Sequence, residues 1–463
     1  MSVKSKHDLP LTFMFGAFVF LQFTVLGLAN HAGEGYLATG QREKVYYALQ
    51  VFVILGYLLY SLFFRYCTGK RIRNTVAAAV LGLFLVCVIL MSVTGFASLL
   101  YVIVSMAAAL CLGALGGAAH LRMSRATLTD ARVARCMGLG SAAAVVLQYL
   151  LQIRWGVTPL LPVFMLAAFF LFVFLLLYKV PAAVMEGDRK PEATPPRRIV
   201  FSVLITAVLL LLVCFYNEYI HHLQIQSDYA SYNVYSWPRL MLVPVYLLFA
   251  VVGDRKNGKY VPLASLCIML IALLNVVLIG SPKAYWLNMC LFYGAIAAET
   301  CYYLLTFWRL APGTRHPALW APMGRILDSA MVLVSGAIGL NRLPSAVILG
   351  ADLGGVALII LLMALGGDLN LSAAEALPAP ETMPNLSPEE TLARMRVRYD
   401  LTPRETEVLR ELVLTEDKQT VICERLNIQV KTLQDYVTRL YRKTGAATRA
   451  GLTDLYHESR GRT

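Results

Sequence analysis

The amino-acid sequence predicts an all-α protein: a polytopic transmembrane helical bundle of twelve helices in two six-helix halves, followed by a C-terminal four-helix domain. Three observations carry this. The 463 residues are 58% hydrophobic and only 15% charged, whereas a soluble chain carries about a quarter charged residues. Apolar runs long enough to cross about 30 Å of hydrocarbon recur as far as residue 366. Past Gly367 the composition turns polar, and the segment LTPRETEVL, Leu401 to Leu409, sets Arg404, Glu405 and Glu407 close together.

The apolar runs place helices near 11–30, 45–64, 75–93, 99–120, 138–153, 158–178, 199–217, 237–252, 261–280, 285–307, 323–340 and 344–366, the fifth and eighth being short for a span. The first run lacks a small-residue cleavage site and is expected to remain as a helix. The net charge of +13 could suggest nucleic acid, but most Lys and Arg sit between apolar runs. Arg65, Lys70, Arg71 and Arg73 follow the second helix, Arg122, Arg125, Arg132 and Arg135 the fourth. Lys179, Arg189, Lys190, Arg197 and Arg198 follow the sixth, and Arg255, Lys256 and Lys259 the eighth. The alternate loops hold only Arg42, Lys44, Arg154, Lys283 and Arg342. The positive-inside rule therefore puts both termini in the cytoplasm, which an even number of helices also requires. No two of the nine cysteines share an outward loop, so no disulfide is expected.

The expected divisions are 1–178, the first membrane half; 179–198, a central cytoplasmic loop; 199–367, the second half; 368–397, a proline-rich linker with a short helix; and 398–463, the C-terminal domain. Two six-helix sets suggest a duplicated bundle with a site between its halves. Between the eighth and ninth helices, GDRKNGKY (Gly253–Tyr260) resembles the G-x-x-x-D-R-x-G-R-K loop of the major facilitator superfamily. Asp254, Arg255, Gly258 and Lys259 match in type and order, with one extra residue before the glycine. The resemblance implies a loop that caps a helix end and forms a charge relay on the cytoplasmic side. The first-half counterpart, RYCTGKRIRN, keeps Gly69, Lys70 and Arg71 and lacks the acid.

Pro378, Pro380, Pro384 and Pro388 mark an extended linker. Ser387-Pro388-Glu389-Glu390 and Thr402-Pro403-Arg404-Glu405 both read as capping boxes with proline at the first helical position. Val408, Leu409, Leu412 and Val413 then form an apolar stripe. Further helices are expected from Thr415 to Leu426, from about Lys431 to Lys443, and from Thr448 to Glu458. Two helices joined by the short link NIQV, the second with a basic end, describe a helix-turn-helix.

The three blocks LTPRETEVLREL, VICERLNIQVKTLQDYV and YRKTGAATRA resemble the LuxR-type DNA-binding domain. Leu401, Thr402, Arg404, Glu405, Glu407, Val408 and Leu409 match the first block; Ile422, Leu426, Ile428, Thr432 and Val437 the second; Tyr441, Lys443, Gly445, Arg449 and Ala450 the third. The resemblance implies that Arg404 and Glu405 hold the helices together and that the third helix enters the major groove of double-stranded DNA. By position, Gln434, Asp435 and Thr438 would face base edges, while Lys431, Thr432, Arg442 and Lys443 would meet phosphates. Asp435, Gln429 and Tyr436 depart from the family's usual residues. The resemblance also implies a homodimer paired through the Thr448–Glu458 helix, and a bacterial inner membrane as the location.

Ionisable groups inside a bilayer mark function by default. Glu299 and Asp352 lie deep in apolar runs and are expected to line a polar cavity, whereas Arg325 and Asp328 would neutralise one another. On the outer side, Asn217, Glu218, His221, His222, Trp237 and Arg239, with His31 and Glu34, could form a ligand mouth. Glu299, Asp352, Glu218 and Arg239 are thus the candidate ligand-binding residues. The adjacent histidines lack a metal-ligand spacing, so no metal or other cofactor is expected. No nucleophile–base pattern points to an enzyme. Two functions compete: a membrane-bound one-component transcription regulator that senses a small molecule, and a secondary transporter carrying a regulatory DNA-binding domain. Reporter fusions after Gly69, Leu128 and Lys190 are predicted to report cytoplasm and fusions within Gln224–Tyr235 the outside; a cytoplasmic signal from the latter would overturn the helix count.

Overall fold

In hydrocarbon a backbone N–H or C=O finds no water, so a spanning chain closes its hydrogen bonds within helices. The computed structural model describes residues 8–67, 69–129, 131–154, 157–179, 193–225, 236–279, 285–340, 343–365, 387–415, 417–446 and 448–460, and every regular element among them is helical. Most of the expected central loop, the tip of the outer loop (226–235), the proline-rich stretch 366–386 and the side chains of His221 and His222 lie outside the described residues. The chain divides into two compact units, Met1–Ala374 and Glu375–Thr463.

The first unit holds α1 (Asp8–Ala29), α2 (Thr39–Tyr66), α3 (Lys70–Val93), α4 (Leu99–Ala126), α5 (Val133–Gln148), α6 (Leu161–Phe174), α7 (Pro196–Ile225), α8 (Leu242–Val252), α9 (Val261–Ile279), α10 (Tyr285–Leu310), α11 (Met323–Ile338) and α12 (Ser345–Leu365). Eight are long and apolar enough to cross a membrane. The fifth is among them: it starts earlier than expected and runs on through a π-helical turn, Tyr149–Arg154. Helices α6, α8 and α9 are apolar but shorter. Helix α11 spans 16 residues and carries Arg325 and Asp328.

Lipid tails are as apolar as leucine, so helices in a bilayer associate by close packing rather than by the hydrophobic effect. Here α1 packs on α5 and α2 on α4 in the first half, and α7 on α12 and α9 on α10 in the second. The halves meet where α5 touches α8, α2 touches α11 and α4 touches α10. Glycine makes these approaches possible. A Cβ at Gly113 on α4 would collide with the Val53 carbonyl of α2, and one at Gly138 on α5 with the Tyr246 carbonyl of α8.

The loop after α8 ties the halves together at one end. Asp254 accepts from the Ala134 and Arg135 amides at 3.0 and 2.9 Å. Asp8 accepts from the Arg132 amide at 3.0 Å, and the Ala131 carbonyl accepts from the Val133 amide at 3.0 Å. The four N–H groups that a helix start leaves without intrahelical partners are thereby all satisfied at α5. Arg309, at the end of α10, donates to the Gly253 carbonyl at 2.6 Å and holds the loop.

The second unit contains α13 (Pro388–Arg398), α14 (Pro403–Leu414), α15 (Gln419–Leu426), α16 (Val430–Thr444) and α17 (Arg449–Arg460). Thr402 and Glu405 form the capping box of α14. Asn427, at φ 51, closes α15 in the left-handed region, which asparagine tolerates better than most residues. The short helix α13, expected with the linker, instead contributes Leu392 and Met395 to the core with Val408, Leu409, Ile422, Leu433, Leu440 and Leu452. Among the described residues the unit is therefore built from five helices. Gly113→Val is predicted to destabilise the bundle by about 1–3 kcal/mol through overpacking, seen as earlier thermal unfolding of the detergent-purified protein; an unchanged transition would contradict the α2–α4 contact.

Candidate functional site

A cavity of about 360 Å³ opens between the halves, within the size range of small-molecule sites. Its lining comes from α1, α2, α4, α5, α7, α8, α10 and α11, and from Arg239 in the turn preceding α8. Helices α3, α6, α9 and α12 supply none of it. The walls combine rings (Phe15, Phe23, Tyr46, Tyr47, Tyr246, Phe292, Tyr293) with the ionisable groups Glu218, Arg239, Glu299, Arg325 and Asp328.

Arg325 makes several bonds in the cavity wall. It donates to Asp328 at 2.6 Å and to the Tyr303 hydroxyl at 2.8 Å. With the Gln22 amide oxygen turned toward it, its Nε also donates across the halves to α1 at 3.1 Å. Arg239 donates to Gln148 of α5 at 3.1 Å and lies over Phe23 of α1 at 5.3 Å and Tyr293 of α10 at 6.0 Å. Both arginines thus bridge the halves through neutral partners. Glu299 is 4% exposed and lines the same cavity.

Among the residues absent from the sequence-based candidates, His120 stands out. Its Nδ1 accepts from Trp308 Nε1 at 3.0 Å, which leaves Nε2 as the protonated nitrogen of a neutral ring. Phe15, Phe18, Tyr57 and Trp308 surround it at 5.6–6.0 Å between ring centroids. Nε2 is buried without a partner while the residue lines the cavity.

Of the membrane candidates, the structure brings Glu299, Glu218 and Arg239 together and leaves out Asp352. Asp352 is buried on α12, which packs on α7 away from the cavity lining. It does not line this cavity beside Glu299, as the sequence led one to expect. Asn217 joins the lining, whereas His31 pairs with Glu34 in the open at 2.8 Å. Arg325 and Asp328 do pair, as expected, but within the cavity wall. Among the described residues no three metal-ligating side chains converge.

In the second unit, Lys431, Thr432, Gln434, Asp435, Thr438 and Arg442 are all exposed along α16, and Arg439 joins their row. Lys443 differs. Its amine donates to Glu405 at 2.8 Å and to the Asp400 carbonyl at 2.8 Å, so it braces the fold instead of standing free for phosphate. Burial would raise the Glu405 carboxyl, but Lys443 and the Thr402 amide and hydroxyl hold it below its ordinary 4.5. Arg404 donates to the Leu426 carbonyl at 2.7 Å. Arg449 donates to the carbonyls of Leu412, Thr415 and Asp417 at 2.9, 2.5 and 2.8 Å. These groups lock the helices to one another.

No family model matches the sequence, and no curated protein matches it. Among solved structures, the chain is similar to the human organic anion transporter MFSD10 (TETRAN), with a TM-score of 0.50 and 16% identity over 77% of this chain and 97% of that one. The membrane unit has a major-facilitator-like fold. The cavity described above lies between the two halves of that fold.

A carboxylate held below its ordinary value stabilises the folded state above that value and loses the contribution as pH falls through the folded one. The second unit is accordingly predicted to lose stability below about pH 4.5, the ordinary glutamate value, with Glu405→Gln flattening that loss. Lys443→Met should cost about 1–3 kcal/mol at neutral pH. Circular dichroism melts across pH check both, and an acid response unchanged in Glu405→Gln would contradict the pairing.

Proposed function

We propose that this chain is a membrane-bound, one-component transcription regulator: the bundle binds a small organic molecule and the C-terminal unit, a LuxR-type helix-turn-helix, binds promoter DNA. The observation that carries this reading is the coexistence in one chain of a mixed-charge cavity with a polar, exposed face on α16. The cavity favours a molecule with a flat apolar body, for the rings, and at least one charged or acceptor group, for Arg239, Arg325 or His120. Twelve spans with both termini cytoplasmic would put that unit on the side where DNA is.

Within the unit, Arg404, Glu405, Lys443 and Arg449 are consumed in holding the helices, as the LuxR resemblance implies for the first two. Lys431, Thr432 and Arg442, with Arg439, are left for phosphates, and Gln434, Asp435 and Thr438 for base edges. A single unit offers few phosphate contacts, which favours a homodimer paired through α17. Binding of ligand changes DNA binding only insofar as the ligand prefers one arrangement of the bundle.

A second reading, secondary transport with the C-terminal unit as a regulatory appendage, is favoured by the fold likeness to a protein described as an organic anion transporter. The missing acid in the loop between α2 and α3 speaks for the sensor, because one half of the relay described for that fold is absent.

Gel shifts over varied sites separate the roles on α16. Lys431→Ala and Arg442→Ala are predicted to weaken binding to every sequence and to reduce the salt slope by about 1 each. Gln434→Ala and Asp435→Ala should change base preference, by about 1–3 kcal/mol per lost contact. Identical behaviour of all four would refute the groove assignment. Uptake of a responsive compound into proteoliposomes would decide for transport.

A further inference from the structure

We infer that the ends of α2, α3 and α4 form a binding site for the phosphate headgroup of an anionic membrane lipid. The site is built on two rings in the last turns of α2, Tyr60 and Phe64, with centroids 6.2 Å apart. Tyr60 is pressed against α4 at Gly117, where any Cβ would strike its ring. Arg125 of α4 lies over Phe64 at 5.5 Å and Arg73 of α3 over the same ring at 5.9 Å. Arg122, three residues before Arg125, lies on the same face of α4.

Two guanidinium groups share the Phe64 ring, a third follows from the same face of α4, and among the described residues no carboxylate forms an ion pair with any of them. Arg122 Nε is buried without a hydrogen-bond partner. Like charges gathered in this way repel unless an anion lies between them. Stacking a guanidinium on a ring fixes its plane and leaves its N–H edge free, the geometry that suits a phosphate.

The surroundings choose the source of that phosphate. Leu55, Leu59 and Leu62 form an exposed stripe along α2 toward the arginines, and Ile72 and Val76 are exposed on α3. An acyl chain lying on this stripe would end with its headgroup at the guanidinium groups. A free phosphate would have no use for it. The cluster also sits at the end that loop charge assigns to the cytoplasm, where anionic lipids attract basic pockets between helices.

Native mass spectrometry of the full-length protein, titrated with phosphatidylglycerol or phosphatidylcholine, tests this. Wild type is expected to retain phosphatidylglycerol preferentially. Each arginine lost should weaken that retention about fivefold, so the triple variant R73Q/R122Q/R125Q should lose about a hundredfold while binding phosphatidylcholine unchanged. The control R255Q/K259Q, which removes two cations elsewhere on the same side, should leave retention intact. If the triple glutamine variant fails to fold, R73K/R122K/R125K serves in its place: it keeps the charge, loses the planar stacking, and is expected to weaken retention measurably. Equal retention of the two lipids, an unaltered triple variant, or an equal loss in the control would overturn the site. Displacement of phosphatidylglycerol by millimolar inorganic phosphate would assign it to a free anion instead.

Discussion

A helix that begins inside a membrane protein leaves four backbone N–H groups without partners, and each orphan in a low-dielectric setting costs free energy comparable to a lost hydrogen bond. At the start of α5 this requirement is met from a distance: Asp254 takes two of the groups, Asp8 one, and the Ala131 carbonyl the last. Asp254 belongs to the second half of the bundle and α5 to the first, so satisfying one helix end fastens the halves. Burial pushes the Asp254 carboxyl upward, while the two amides and Arg309 oppose this. Its carboxyl faces the positive end of the helix dipole.

With that end tied, the contacts of α5 with α8 and of α2 with α11 leave a space between the halves rather than a packed interface. Ionisable groups that would be costly against lipid are spent there. Arg325 spans from Asp328 to Tyr303 and Gln22, Arg239 from Gln148 to two rings, and His120 is held in one tautomer by Trp308. Apart from the Arg325–Asp328 pair within α11, each of these links joins different helices, so a molecule entering the cavity would compete with contacts that set the spacing of the bundle. This is the physical basis on which binding there could be felt elsewhere in the chain.

The helical character of the chain and the positions of its elements were legible because a bilayer imposes long apolar runs, and because Pro, Ser and Thr mark the starts of α13 and α14 so strongly. Rotation about a helix axis was not legible in the same way. Glu299 and Asp352 look alike in the sequence, yet only Glu299 turns toward the cavity, since α12 lies outside the ring of lining helices. His120, Gln22 and Gln148 were missed because a single polar residue in an apolar run gives no periodic signal. Lys443 reads as a free cation at a helix end; only the fold reveals that Glu405, distant in sequence, occupies it. Leu392 and Met395 already carried helical spacing, but the neighbouring prolines disguised α13 as part of a linker.

If the proposed function holds, one chain is both embedded in a membrane and sequence-selective for DNA. The most direct measurement is to assemble the full-length protein in lipid nanodiscs, incubate it with fragmented genomic DNA at physiological salt, and sequence what is retained. The expected result is a small set of fragments sharing one motif, lost when residues 387–463 are removed. Retention no different from that of empty nanodiscs, or a fragment population without a shared motif, would contradict the proposed function.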